Sequence, residues 1–134
     1  MKTIITPIQM RFNDVDGFGH VNNSVYNEYL DCGRMDFIKQ VFGSKFPSGT
    51  KSMVLVRIEN NFLSPSTLYD ELNVYTQPGE TGEKTIQMHQ QIVDKRGDVK
   101  VESLSVMSTF DLKEMCSFPM PEEWIRAIEN FVKE

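Results

Sequence analysis

The chain reads as an α+β domain in which one long helix lies against an all-antiparallel sheet. Three observations point there. One stretch of helical spacing, residues 23–42, stands among segments whose apolar residues alternate with period two. A short glycine-containing turn, DKRGD, joins two of those segments as a hairpin, and a brief second helical pattern closes the chain.

The first alternating segment spans 3–13. Ile8, Met10 and Phe12 point one way and Gln9, Arg11 and Asn13 the other, with Pro7 suiting an edge or a strand start. The polar decapeptide DVDGFGHVNN (14–23) follows, and Gly17 and Gly19 mark a tight connection. Over 23–42, Val25, Tyr29, Leu30, Phe37, Ile38, Val41 and Phe42 recur at three- and four-residue steps, and Gly43 supplies a stop. Asn22 or Asn23 is the N-cap candidate, with Glu28 and Asp31 placed near the positive end of the helix dipole. Gly33, in mid-helix, costs about 1 kcal/mol of propensity, which implies a close approach to the sheet.

A Ser-, Gly-, Pro- and Lys-containing loop (43–51) leads into strands expected at 52–63, 69–77, 84–94 and 98–112. QPGETGE is the loop between the second and third of these, and DKRGD turns the third into the fourth. The pattern of the last strand slips near Glu102–Leu104, a bulge or kink. Pro121 then starts a helix with Trp124, Ile125, Ile128, Phe131 and Val132 as its apolar stripe. Such a sheet leaves open edges and a bare face, which self-association covers.

Composition narrows the function. With 134 residues, 40% hydrophobic and 25% charged, residues 1–134 are expected to form a single soluble domain. A net charge of −5, with no basic run interleaved with aromatics, argues against nucleic acid. MKTIITPIQMRF breaks its apolar run at Thr6, Pro7 and Gln9, unlike a signal peptide, and no stretch approaches a membrane span. Cys32 and Cys116 lack CxxC spacing; a cytoplasmic location is expected, with Cys32 packed in the core rather than acting as a nucleophile. His89 belongs to a solvated sheet face, and its distance of 69 residues from His20 offers no metal-ligand spacing, so no metal is expected.

The decapeptide carries the chemistry. A loop bearing carboxylates runs into a helix N-terminus, whose unpaired N–H groups can polarise a carbonyl and hold the oxyanion formed on attack. Asp16, seven residues before Asn23, can fold back over that helix start as nucleophile or as base for water, with His20 orienting water or substrate. The same residues also suit a plainer role: Asp14, Asp16, Asn22 and Asn23 are all turn formers and caps.

RFNDVDGFGHVNNSVYNEYLDCGR resembles the signature of the hotdog-fold acyl thioesterases of the 4-hydroxybenzoyl-CoA thioesterase type. Arg11, Asp14, Asp16, Gly19, His20, Val21, Asn22, Asn23, Tyr26, Tyr29, Asp31 and Arg34 carry the match. VRIENNFLSPSTLYDEL looks like the second strand, turn and third-strand start of that family, so the resemblance spans roughly residues 8–112. It implies a five-stranded sheet wrapped around one long helix, and a homodimer joined sheet edge to sheet edge, or a homotetramer, with the site at the subunit interface. By the same resemblance Asp16 is the catalytic carboxylate, the Asn23 amide polarises the thioester carbonyl, and His20 positions water or substrate. Gly19, Val21, Asn22, Glu59 and Lys84 are its expected substrate or CoA contacts, with Lys95 and Arg96 further candidates for the phosphates.

The plant-type acyl-carrier-protein thioesterases are similar here but carry an Asn where this chain has Phe18, and Tyr69-Asp70 replaces a Gly-Asp turn. The expected activity is hydrolysis of an acyl-CoA thioester, with an acyl carrier protein thioester or non-catalytic acyl-CoA binding as alternatives. No cofactor is implied, CoA being part of the substrate.

Overall fold

A computed structural model describes residues 2–43, 46 and 49–134. Five strands form one antiparallel sheet: β1 (Ile4–Pro7), β2 (Lys51–Phe62), β3 (Leu72–Thr81), β4 (Thr85–Asp94) and β5 (Val99–Asp111), in spatial order β1-β3-β4-β5-β2. The long helix α1 (Asn23–Phe42) lies on one face, and the shorter α2 (Glu122–Lys133) packs beside its C-terminal half. This is the expected α+β architecture, the hotdog arrangement of sheet and helix.

The apolar face of α1 is Tyr26, Tyr29, Leu30, Phe37 and Ile38. Towards its N-terminus, Tyr26, Tyr29 and Leu30 pack with Leu72, Val74, Ile92 and Val101. Towards its C-terminus, Phe37 and Ile38 pack with Met53, Ile86, Met88, Met107 and the buried stripe Trp124, Ile128 and Phe131 of α2. A polar layer separates the two halves. Buried Arg34 donates to Gln90 Oε1 (3.1 Å) and pairs with Asp31, while Gln90 Nε2 donates to the Leu30 carbonyl (3.0 Å) and Thr76 Oγ1 (3.1 Å).

Gly33 makes the close approach that its position implies. A Cβ there would stand 2.6 Å from Val74 Cγ1 and 2.7 Å from both Gln90 Nε2 and Thr76 Oγ1. Helix propensity alone favours alanine at this position, but overpacking outweighs it. Gly33→Ala is expected to lower stability by about 1–3 kcal/mol, read as a lower urea midpoint, because the added carbon pushes on the polar layer as well as on Val74.

The departures from the expected elements have local causes. The first strand ends at Pro7 rather than near residue 13: Ile8 and Met10 still pack on the core, but Phe12 is exposed and Phe12–Asp14 wind into a 3₁₀ turn. That turn is pinned by Asp14, which accepts from the Arg11 amide and from its guanidinium, both at 3.0 Å. QPGETGE is not all loop, since β3 continues to Thr81 through an irregularity between Pro78 and Thr81. The slip in β5 falls at Lys100, ahead of Glu102: Ile92 faces Val101 and Val93 faces Val99, leaving Lys100 the extra residue. Glu28 and Asp31 lie beyond the first helical turn and serve as ion-pair partners of Arg11 and Arg34 instead. Cys32 is exposed rather than in the core, since it falls outside the buried face of α1. Residues 44, 45, 47 and 48 of the expected loop lie outside the described residues. His89 is exposed, as read from its strand.

Candidate active site

The two aspartates of the decapeptide do different work. Asp14 is 2% exposed and is an anchor: besides Arg11 it accepts from the Tyr29 hydroxyl at 2.6 Å, and its backbone carbonyl accepts from the Asn22 amide at 2.9 Å. Burial alone would raise its carboxyl, but the Tyr29 hydroxyl and the Arg11 amide and guanidinium outweigh this and hold it below the ordinary carboxylate range. Burial and the same Asp14 bond push the Tyr29 phenol upward, so it stays a neutral donor.

Asp16, by contrast, is exposed. A bridge between Val15 and Val21 closes the loop behind it, and the Asp16 amide donates to the His20 carbonyl at 2.8 Å. Gly19 takes φ +82°, a left-handed conformation that favours glycine, and its amide donates to the Asp16 carbonyl at 3.1 Å. The side chain is oriented by its own loop: Oδ1 accepts from the amides of Phe18 (2.9 Å) and His20 (3.3 Å). Among the described residues, Oδ2 has no such partner.

Helix α1 begins one step further on. Asn22 is the N-cap, its Oδ1 accepting from the Ser24 amide at 2.9 Å. The Val21 amide donates to the Ser66 carbonyl (2.8 Å) and the Val25 amide to the Asn22 carbonyl (2.9 Å). Across Val21–Val25, therefore, only the Asn23 amide lacks an acceptor among the described residues. It is an unpaired donor at the positive end of a twenty-residue helix.

Asp16, His20, Val21, Asn22, Asn23 and Tyr26 form one wall of a cleft of about 460 Å³, a volume suited to a small-molecule site. The opposite wall is Phe62, the last residue of β2, with Leu63, Ser64 and Pro65 after it. The β5 bulge places that wall, because the Lys100 carbonyl accepts from the amides of Leu63 (2.8 Å) and Ser64 (3.3 Å). Lys100 itself is buried against Asp94, 3.5 Å away, at the β4–β5 turn. Burial of Asp94 is offset by the Asp98 and Arg96 amides and by the two cations, which keep its carboxyl low.

Of the residues singled out from the sequence, Asp16, His20, Val21, Asn22 and Asn23 meet in this cleft, with Gly19 in the same loop. Glu59 does not join them: it lies in a separate groove of about 400 Å³ with His89 and Glu102 and pairs with Arg57. Lys84 sits in the β3–β4 turn, separated from the cleft end by the length of β4, roughly 30 Å. Lys95 and Arg96 are exposed in the β4–β5 turn, beside Tyr69 and Asp70. Phe62–Pro65 went unrecognised as a wall of the site. The signal was present in NFLSP, where an apolar strand end remains exposed beside a proline, Phe62 at 45% and Leu63 at 52%.

Asp14 and Asp94, like Asp111 with its bonds from Thr50 and the Lys113 and Glu114 amides, are carboxyls held below the ordinary range in the fold. A carboxyl held low in the folded state contributes fully above its unfolded value, about 3.9, and that contribution fades as pH falls through the folded value. Urea midpoints are expected to drop steeply below about pH 4. Asp14→Asn is expected to cost about 2–3 kcal/mol at pH 7, the scale of hydrogen bonds to a charged group. The gap from wild type should narrow as the pH approaches 3, which parallel urea titrations measure.

The family model of the thioesterase-like superfamily matches residues 10–128. The chain belongs to that superfamily. With the thioesterases found among its relatives, it is a thioester hydrolase. Among its relatives is the long-chain acyl-CoA thioesterase FadM of Escherichia coli (strain K12), 27% identical over 130 residues, 96% of this chain and 98% of that one. A thioesterase complexed with coenzyme A and Zn from Thermus thermophilus has a TM-score of 0.84 at 25% identity, covering 97% of this chain and 94% of its own. A predicted thioesterase from Bacillus stearothermophilus shares the fold with a TM-score of 0.88 at 22% identity, covering 97% and 96%. Among the described residues of this thioesterase-superfamily chain, no helix is long and apolar enough to cross a membrane.

Proposed function

We propose that the chain hydrolyses an acyl-CoA to the free acid and CoA in the cleft at the start of α1. One observation carries this reading: a carboxylate with a free oxygen and an unpaired helix-terminal amide line the same cleft. Bound there, the thioester carbonyl accepts from the Asn23 N–H while Asp16 Oδ2 faces the carbonyl carbon, as base for water or as nucleophile. In the first route Asp16 takes a proton from water, whose oxygen adds to the carbon. Charge collects on the carbonyl oxygen beside the helix terminus, and its return breaks the C–S bond and releases CoA as the thiolate. In the second, Asp16 Oδ2 adds to the carbon and the C–S pair leaves with the CoA thiolate, giving a mixed anhydride that water then opens to the free acid and the Asp16 carboxylate. The His20 imidazole, on the cleft wall with no hydrogen-bond partner among the described residues, orients water or acyl group.

Two further features support the setting. β2 is an edge strand of twelve residues exposing Leu55 and Val56, the surface for an edge-to-edge dimer. Two copies of β2 paired antiparallel would bring the Lys84 end of one sheet towards the cleft end of the other, which is how Lys84 would reach CoA phosphate. The exposed free thiols of Cys32 and Cys116 suit a reducing cytoplasm.

The test is thiol release from a panel of short, long, aromatic and branched acyl-CoAs, with an acyl carrier protein thioester beside them. Turnover of at least one CoA ester above the carrier-protein ester is expected. Stoichiometric binding with no release of thiol from any of them would leave an acyl-binding protein.

A further inference from the structure

We propose that the Tyr26 hydroxyl is a second hydrogen-bond donor to the carbonyl oxygen of the bound thioester, beside the Asn23 amide; this rests on the acyl-CoA hydrolase reading above. Tyr26 and Tyr29 stand three residues apart on α1 with rings 6.2 Å apart, edge to face, yet their hydroxyls differ. That of Tyr29 is bonded to Asp14 at 2.6 Å. That of Tyr26 is buried in a side chain only 2% exposed and has no hydrogen-bond partner among the described residues.

A buried hydroxyl without a partner costs free energy that phenylalanine at the same position would spare. The ring alone accounts for the packing, against Tyr29 and against Phe62 at 5.9 Å. A partner from outside the chain accounts for the hydroxyl. Direction supports this: a long side chain on a helix leans back over the turn before its own Cα. From position 26 that turn holds the unpaired Asn23 amide, and both residues border the cleft.

In the addition step the water oxygen bonds to the thioester carbon and the carbonyl π pair moves onto oxygen. That oxygen accepts from Asn23 N–H and Tyr26 O–H. Tyr26 keeps its proton throughout, the proton from water going to Asp16 and the C–S pair leaving with the thiolate. The contact strengthens as charge develops, so its loss falls on kcat.

Tyr26→Phe tests this, since it keeps the ring and removes only the hydroxyl. With the most active acyl-CoA of the panel, kcat is expected to fall about 100-fold with KM within about threefold of wild type. Thermal midpoint should be equal or higher, and oligomeric state by light scattering unchanged. Unaltered kcat overturns the proposal, as does a rise in KM alone, which would make the hydroxyl a ground-state contact. A variant that loses its oligomeric state overturns it too, placing the hydroxyl's partner in a second copy of the chain. Failure of the underlying reading looks different: wild type itself would release no thiol.

Discussion

Asp16→Asn is expected to lower kcat for acyl-CoA hydrolysis by at least about 100-fold, the scale of a positioned base, with thermal stability close to wild type. The separation of effects follows from geometry. Asp16 is exposed, and its structural contacts are the Phe18 and His20 amides on Oδ1, solvent-facing bonds that an asparagine oxygen also accepts. The substitution therefore preserves the loop and removes only the negative charge and basicity at the other oxygen. Free-thiol release at saturating substrate, with a denaturation curve on the same sample, measures both halves. Equal turnover in the two proteins would remove Asp16 from the reaction.

The largest expected loss of stability lies at the far end of the molecule. Trp124→Ala should cost about 3–5 kcal/mol, the range for deleting a large aromatic from a packed core. Trp124 is 5% exposed and packs against Phe46 at 5.0 Å, Phe118 at 5.7 Å and Phe42 at 5.8 Å. With Phe131, edge to face on Phe37 at 5.5 Å, it docks α2 against the C-terminal half of α1. Urea denaturation reads the loss. Turnover per folded molecule should stay near wild type, because the cleft is built at the other end of the helix.

The contrast between these two substitutions shows what the sequence could and could not disclose. Residues 23–42 announced their helix because a face buried on one side writes a three-four spacing into the chain. Gly33 pointed to a close approach because so poor a helix former in mid-helix is better explained by a sheet beside it than by a surface helix with one weak residue. Gly97 and its neighbours announced the hairpin, where Gly97 takes φ +94° and Asp94 accepts from the Arg96 and Asp98 amides, each at 2.9 Å.

Asp14 and Asp16 did not announce their difference. Two carboxylates two apart in a loop have no period to separate them. Which one is buried depends on where Tyr29 and Arg11 arrive, and that is set by α1 and the 3₁₀ turn together. The facing wall at 62–65 was hidden for a similar reason, since it is held by the Lys100 carbonyl, and the bulge at Lys100 is a property of β4 and β5 in register. Lys84 reads as part of the site in sequence, yet register places it at the opposite end of its own sheet, from where only a second copy would bring it to a cleft. Cys32 misled because helical spacing near an interface does not say which side of a narrow apolar face a residue falls on.

The most direct measurement is infrared difference spectroscopy of a thioester labelled with ¹³C at its carbonyl and bound to Asp16→Asn, which is expected to consume the substrate at least about 100-fold more slowly. If the opening amide of α1 grips the carbonyl oxygen, the labelled band moves to lower wavenumber on binding than in water, because the bond loses double-bond character. A stoichiometrically bound thioester whose band stays at its solution position would contradict a carbonyl held at the helix terminus, and with it the assignment of the reaction to this cleft.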